Sequence, residues 1–355
     1  MTGPAPRGRE EMRVHEIPLD EVRVRDPRTP IMLIVDDPAP VVHVYRCHVV
    51  DVHHAEPQTE DGRPLVEEVP NEFMRRFVEV VRRRGIRGKF SIVPGLGGRG
   101  DLVHGIDGGR VGEIAEWLDL ARRGLATRMD FCPEGITHNL AVDLEHGGFL
   151  PVSEYEWAAT QTETTLTAYL TRALEMLREA GVEATGVTSP WSFGIQVEAA
   201  YRRAIVAAMK GVYQRDRTWY FLHDRHERPE TRPEVVIDEP PTKLVSIACT
   251  IKDHCWQTIN SPDTSEGYVR GIADQFLTAD GRSGDILSVL RAGGWPILVT
   301  HWQSVFSNGL ETGIRVMDEV ARRVEEHLGD ELVWCSASEV MERTILASGS
   351  EASQG

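Results

Sequence analysis

Several features that would identify a chain quickly are missing from this one. It has no run of about 18 apolar residues, so no segment reads as a transmembrane helix. The opening stretch MTGPAPRGREEMRVHEIPLDEVRV has no apolar h-region, which predicts no secretory signal. Cysteine is scarce: Cys47, Cys132, Cys249, Cys255 and Cys335 are scattered, odd in number and form no CxxC pair. That usage predicts reduced, mostly buried thiols in a cytoplasmic protein. Net positive charge is also lacking. A formal charge of −16 argues against nucleic acid and anionic membranes as partners. A small-molecule or carbohydrate substrate remains, and an assembly of identical copies stays open. The glycine-rich stretch GLGGRGD at 95–101 lacks the Gly-Lys-Ser/Thr ending of a phosphate-binding loop. No internal repeat and no break in composition divides the chain.

What is present is an ordinary globular composition, 41% hydrophobic and 26% charged. Its organising stretch is Ile31–Asp37, IMLIVDD. Five apolar residues ending in two aspartates read as a buried strand of a parallel sheet. Its carboxylates then lie at the C-terminal end, where α/β folds place their active sites. Adjacent anions repel, so the pair calls for a cation or a shared proton. Further along, helical and strand patterns alternate. Helices are expected over Asn71–Gly85, Val111–Arg123, Gln196–Lys210, Glu311–Leu328 and Ser338–Leu346. One long helix to Gly181 is expected to open at a capping box, Ser153 to Glu156. Strands are expected at Lys89–Val93, Arg128–Cys132, Ala184–Thr188, Val212–Leu222, Leu244–Thr250, Pro296–His301 and Leu332–Cys335. This alternation predicts an α/β fold, a parallel barrel or a wound sheet. Residues 1–30 read as an N-terminal extension, 31–346 as a single catalytic domain and 347–355 as a flexible tail.

Polar residues gather at the strand ends. Asp36 and Asp37 end the first strand, Glu134 and His138 follow the third, and Thr188-Ser189-Pro190-Trp191 ends the fourth. Asp253 follows the strand ending at Thr250, and His301 and Trp302 follow Pro296–Thr300. In a (β/α) barrel these ends share one face. Glu134 and His138 are four apart, a spacing that on a helical turn puts both on one face as metal ligands. With Asp37 they form a ligand set suited to Zn²⁺, other divalent ions also being acceptable. His138 with Asp143 or His146 is an alternative set. The stretch Pro38–Pro70 is long and histidine-rich, and His54 is placed from it among the substrate-binding residues.

The order of these motifs resembles the polysaccharide deacetylase family of carbohydrate esterases. The doublet Asp36-Asp37, the strand Gly88–Val93, the Glu134…His138 segment, Thr188–Trp191 and Leu298–His301 stand where that family has its motifs. The resemblance implies a distorted (β/α) barrel of about seven or eight strands. It implies a metal-dependent hydrolase in which activated water attacks an amide or ester carbonyl. Asp37, Glu134 and His138 would hold the metal, Glu134 standing in place of a histidine. Asp36 would act as general base and His301 as general acid. The family's arginine beside the base is absent from Thr188–Trp191, and Asp253 is expected to take part of its role. Pro190, Trp191 and Trp302 would wall the substrate site. A catalytically inactive sugar-binding relative and a glycosidase using Asp36 with another carboxylate are the alternatives.

Overall fold

The computed structural model describes residues 21–47 and 58–352. Strand β1 (Thr29–Asp36) is buried from Pro30 onward, as its unbroken apolar run requires. It pairs in parallel with β2 (Gly88–Ile92), which pairs in parallel with β3 (Met129–Pro133). Leaving aside short two-stranded pairs, the main-sheet strands that follow are β4 (Gly186–Thr188), β5 (Arg217–Asp224), β6 (Glu234–Glu239) and β7 (Thr242–Cys249). The last two are β8 (Ile297–His301) and β9 (Leu332–Trp334). One sheet runs β8-β1-β2-β3, with β9 beside the start of β1. The second runs β4-β5-β7-β6, and only β6 is antiparallel.

Isolated bridges join the two sheets: Phe131 to Ala184 and Glu134 to Thr188 on one side, Ile251 to Leu298 on the other. The arrangement is thus a distorted (β/α) barrel whose hydrogen-bonded ladder does not close continuously. Helices cover its outside. Asn71–Arg84 lays Phe73, Met74, Phe77, Val80 and Val81 against the sheet and stops at Gly85, whose φ of 66° suits glycine. Each such side chain contributes about 1.5–3 kcal/mol on burial.

The period of two along each strand separates two cores. Leu33, Val35, Phe90 and Ile92 face the helices. Met32, Ile34, Cys132, Trp219, Phe221, Val245, Ile247, Ile297 and Val299 fill the interior. Continuing that inner parity upward brings Asp36 and His301 onto the interior side, and these two are register partners across β1 and β8.

Several sequence-based expectations change. The Ser153–Glu156 capping box exists, but it opens only Glu154–Ala158. A second box at Thr162 opens a separate helix, Glu163–Glu179. Val212 belongs to the preceding helix, Glu198–Tyr213, because it continues that helix's buried face through Ala208 and Met209; β5 starts only at Arg217. Strand β6 was not expected: Glu234–Glu239 has only the short apolar run Val235–Ile237, flanked by acids, and none of its residues is fully buried. The last helix runs on to Ala352, past the expected tail boundary. No described helix is long and apolar enough to cross a membrane.

Candidate metal and catalytic site

At the C-terminal ends of the strands lies a cleft of about 1040 Å³. Asp36, Asp37, Glu134, His138, Trp191 and His301 all line it. Asp37 follows β1 in a left-handed conformation, φ 65°, which turns it away from the strand path. Its backbone N–H donates to Glu134 Oε2 at 2.7 Å. His138 Nε2 lies 2.8 Å from Asp37 Oδ1 and 3.4 Å from Glu134 Oε1. One ligand atom from each of these three buried residues falls within 4.8 Å of the others. Gln303 donates its side-chain amide to Asp37 Oδ2, fixing that carboxylate from the far side.

The Glu134–His138 segment is not a helical turn, contrary to the spacing argument. It is a loop in which Gly135 (φ 59°) and His138 (φ 54°) are both left-handed. Glu154 is the reason. Its buried carboxylate accepts the backbone N–H groups of Ile136 (2.7 Å), Thr137 (3.0 Å) and His138 (2.9 Å), and the Tyr169 hydroxyl at 2.6 Å. The loop therefore wraps an anion, which supplies backbone partners that a helix would have supplied itself. A Cβ at Gly135 would overlap Glu154 Oε2, so this position needs glycine for space as well as for φ.

The electrostatics are those of buried carboxylates crowded together. Burial, with Asp36 and Asp37 nearby, pushes Glu134 up to about 7. Burial alone would lower His138, but Asp37 and Glu134 outweigh it and hold the imidazole well above its ordinary value. Asp36 has its own counter-ion, Lys89. A divalent cation bound with neutral His138 would offset the negative charges of Asp37 and Glu134. The donor set, two carboxylates and one imidazole, fits such an ion.

His301 stands across the cleft. Its Nδ1 lies 2.8 Å from Asp253 Oδ2, which also accepts the His301 backbone N–H at 3.1 Å. With Nδ1 tied, Nε2 is the atom left for proton transfer. Trp256 packs edge-on against the ring with centroids 5.0 Å apart. Burial lowers the His301 pKa, but the Asp253 contact and the nearby carboxylates overcome this and raise it to about 9.

The other expected site residues divide. Trp191 is 41% exposed in the cleft and packs edge-on against His138 and Tyr155. Trp302 is not a cleft residue. It follows His301 and so takes the opposite parity, packing at centroid distances of 4.7–6.4 Å against Phe73, Phe77, Phe90 and Trp117. Pro190 is buried behind the 134–138 loop, close to Gly135, and does not line the cleft. Asp253 does not touch Asp36; it holds His301, and Lys89 is the residue at Asp36. Asp143 and His146 pair with each other in a turn, His146 well exposed, which removes the alternative ligand set. His54 lies outside the described residues.

Sequence reasoning missed Lys89 and Glu154. A lysine inside the apolar strand KFSIV was a visible signal, because a buried ammonium needs a partner. Glu154 carried no comparable signal, being one acid among several at a helix start.

No protein-family model matches the chain, and no curated protein matches it. Among solved structures, it is similar to a candidate polysaccharide deacetylase from Mycobacterium smegmatis. That pair is 12% identical over 91% of this chain and 93% of the other, with a TM-score of 0.51. It also resembles a peptidoglycan deacetylase from Bacillus subtilis, 9% identical over 92% of this chain and 97% of that one, TM-score 0.43. The chain has the polysaccharide deacetylase fold, in a divergent form.

Proposed function

We propose that this chain is a metal-dependent hydrolase that removes an acyl group from an N- or O-acylated sugar or a related small amide. One observation carries the reading: a buried Asp37–Glu134–His138 trio shares a cleft with a second carboxylate, Asp36, and a carboxylate-backed histidine, His301. A divalent ion held by the trio, zinc being the best match to this donor set, would supply Lewis-acid chemistry to water and to the acyl carbonyl. Asp36 takes the proton of the attacking water. His301, charged and oriented by Asp253, gives its Nε2 proton to the departing amine or alcohol. Trp191 and Tyr155 offer apolar faces to the substrate ring or chain. Among the described residues, no lysine or arginine lines the cleft, which suits a neutral substrate and does not suit nucleic acid. A cytoplasmic location is part of the proposal, supported by five free cysteines.

Elemental analysis of the purified protein, combined with an acetate-release screen of N-acetyl and O-acetyl compounds, tests the reading. One divalent ion per chain and release of acetate that chelation abolishes are expected. Trace metal in protein refolded or purified with zinc present would rule out the hydrolase as stated.

A further inference from the structure

Lys89 has no place in the mechanism above, yet its setting is built with care. Inner parity on β2 sends Lys89 and Ser91 into the barrel, beside Asp36. The lysine side chain is fully buried, where an unpaired ammonium would be expensive. It has three donors and finds three oxygens: Asp36 Oδ1, Ser91 Oγ at 2.6 Å and Thr188 Oγ1 at 2.7 Å. Its Nζ also lies 4.6 Å from the centroid of Phe221. Ser91 Oγ donates to the same Asp36 Oδ1 at 2.8 Å. Among the described residues, every side-chain hydrogen bond to the Asp36 carboxylate therefore falls on Oδ1. Because Asp36 lines the cleft, Oδ2 is the oxygen left for it.

We propose that Lys89 is a positioning residue. It holds the Asp36 carboxylate by Oδ1 so that Oδ2 faces the water above the Asp37–Glu134–His138 trio. The terminal torsion of an aspartate is broad and two-fold, so an untethered carboxylate has no fixed presenting oxygen. Asp37 and Glu134 nearby would also repel it. A fixed point charge below Oδ1 removes that freedom, and orientation of this kind is worth rate because small misplacements are costly. This inference rests on the reading of Asp36 as general base.

The test compares wild type, Asp36→Asn, Lys89→Met, Lys89→Arg and the double variant Lys89→Met/Asp36→Asn. The rate is measured on 4-nitrophenyl acetate and on the best amide from the acetate screen. Bound metal, melting temperature and a crystal structure accompany each. Lys89→Met is expected to lower kcat by about 10²-fold, with KM and metal content near wild type. Lys89→Arg should recover part of the loss. In the Asp36→Asn background, Lys89→Met should cost nothing further, because the residue through which it acts is already disabled. The Lys89→Met crystal structure should show the Asp36 carboxylate rotated or in two conformers. If Lys89→Met does not fold, the double variant against Asp36→Asn, with Lys89→Arg against wild type, gives the same comparison. Wild-type kcat in Lys89→Met, an equal fold-loss in both backgrounds, or an unmoved Asp36 carboxylate overturns the inference while leaving the base assignment standing. Near-normal kcat in Asp36→Asn overturns the base assignment itself, whatever Lys89 does.

Discussion

At the scale of single residues, the site depends on a few charges held close together. His138 sits between two carboxylates, at 2.8 Å from Asp37 and 3.4 Å from Glu134. His138→Ala should therefore remove most of the bound metal, since even the loss of a residue behind the ligands typically costs about 10–100-fold in affinity. Elemental analysis after dialysis checks this, and an unchanged metal content would remove His138 from the ligand set. His301 governs a different observable. Its pKa is raised to about 9, against an ordinary value of 6.5, so it is protonated below that range and loses its proton as pH rises through it. An acid must be protonated to work, so kcat should fall on the alkaline side. A cation that neutralises Asp37 weakens one cause of the shift but leaves the Asp253 contact, so the limb should fall between 6.5 and about 9. Asp253→Asn should move that limb to lower pH, and His301→Ala should flatten it and slow amides more than activated esters. An alkaline limb that stays in place in Asp253→Asn would show that another group carries it.

At the scale of elements, the loop at 134–138 shows why residue spacing can succeed for a wrong reason. Glu134 and His138 meet as an i, i+4 pair would, yet no helical turn brings them together. Glu154 does so from a separate helix, by accepting three backbone N–H groups and one phenol. Glu154→Leu should leave those donors buried without an acceptor, at about 1–3 kcal/mol each. The expected result is a lower melting temperature together with a roughly 10–100-fold weaker metal affinity in chelator competition. A variant that binds metal normally would show that the loop keeps its shape without the carboxylate. The parity of β8 is a parallel lesson. His301 turns inward, so Trp302, one residue on, turns outward into a cluster of four aromatic rings.

At the scale of the whole molecule, two sheets meet at seams made of isolated bridges, and both seams lie near the cleft. One seam bridge joins Glu134 to Thr188, which ties a proposed metal ligand to the second sheet. An ion at the trio would join the ends of β1 and β3 within the first sheet and bind only the folded chain, in which those ends meet. Zinc at about 100 times its dissociation constant should add about 2.7 kcal/mol of stability. Differential scanning calorimetry with and without chelator reads this as a higher melting temperature of the loaded protein. Identical curves in the two conditions would mean that no ion is held there.

The amino-acid sequence by itself determined the alternation of strands and helices and the place of the carboxylates. An apolar run that ends in Asp36-Asp37 reads as a buried strand with its charges at the rim. It also held more than the motif comparison used: inner and outer parity is a local property, so Lys89 facing inward and Trp302 facing outward were both implied by it. What only the tertiary structure decided is which distant groups meet. Asp37 and Glu134 are 97 positions apart, Lys89 and Thr188 are 99, and Asp253 and His301 are 48. No local propensity measures those separations. They are set by how the strands are ordered and by where two left-handed residues, Asp37 and His138, turn the chain out of its expected path. The same order put Lys89 beneath Asp36 and Asp253 behind His301, because pairing across neighbouring strands, and not position along the chain, chooses the counter-ion of a buried charge.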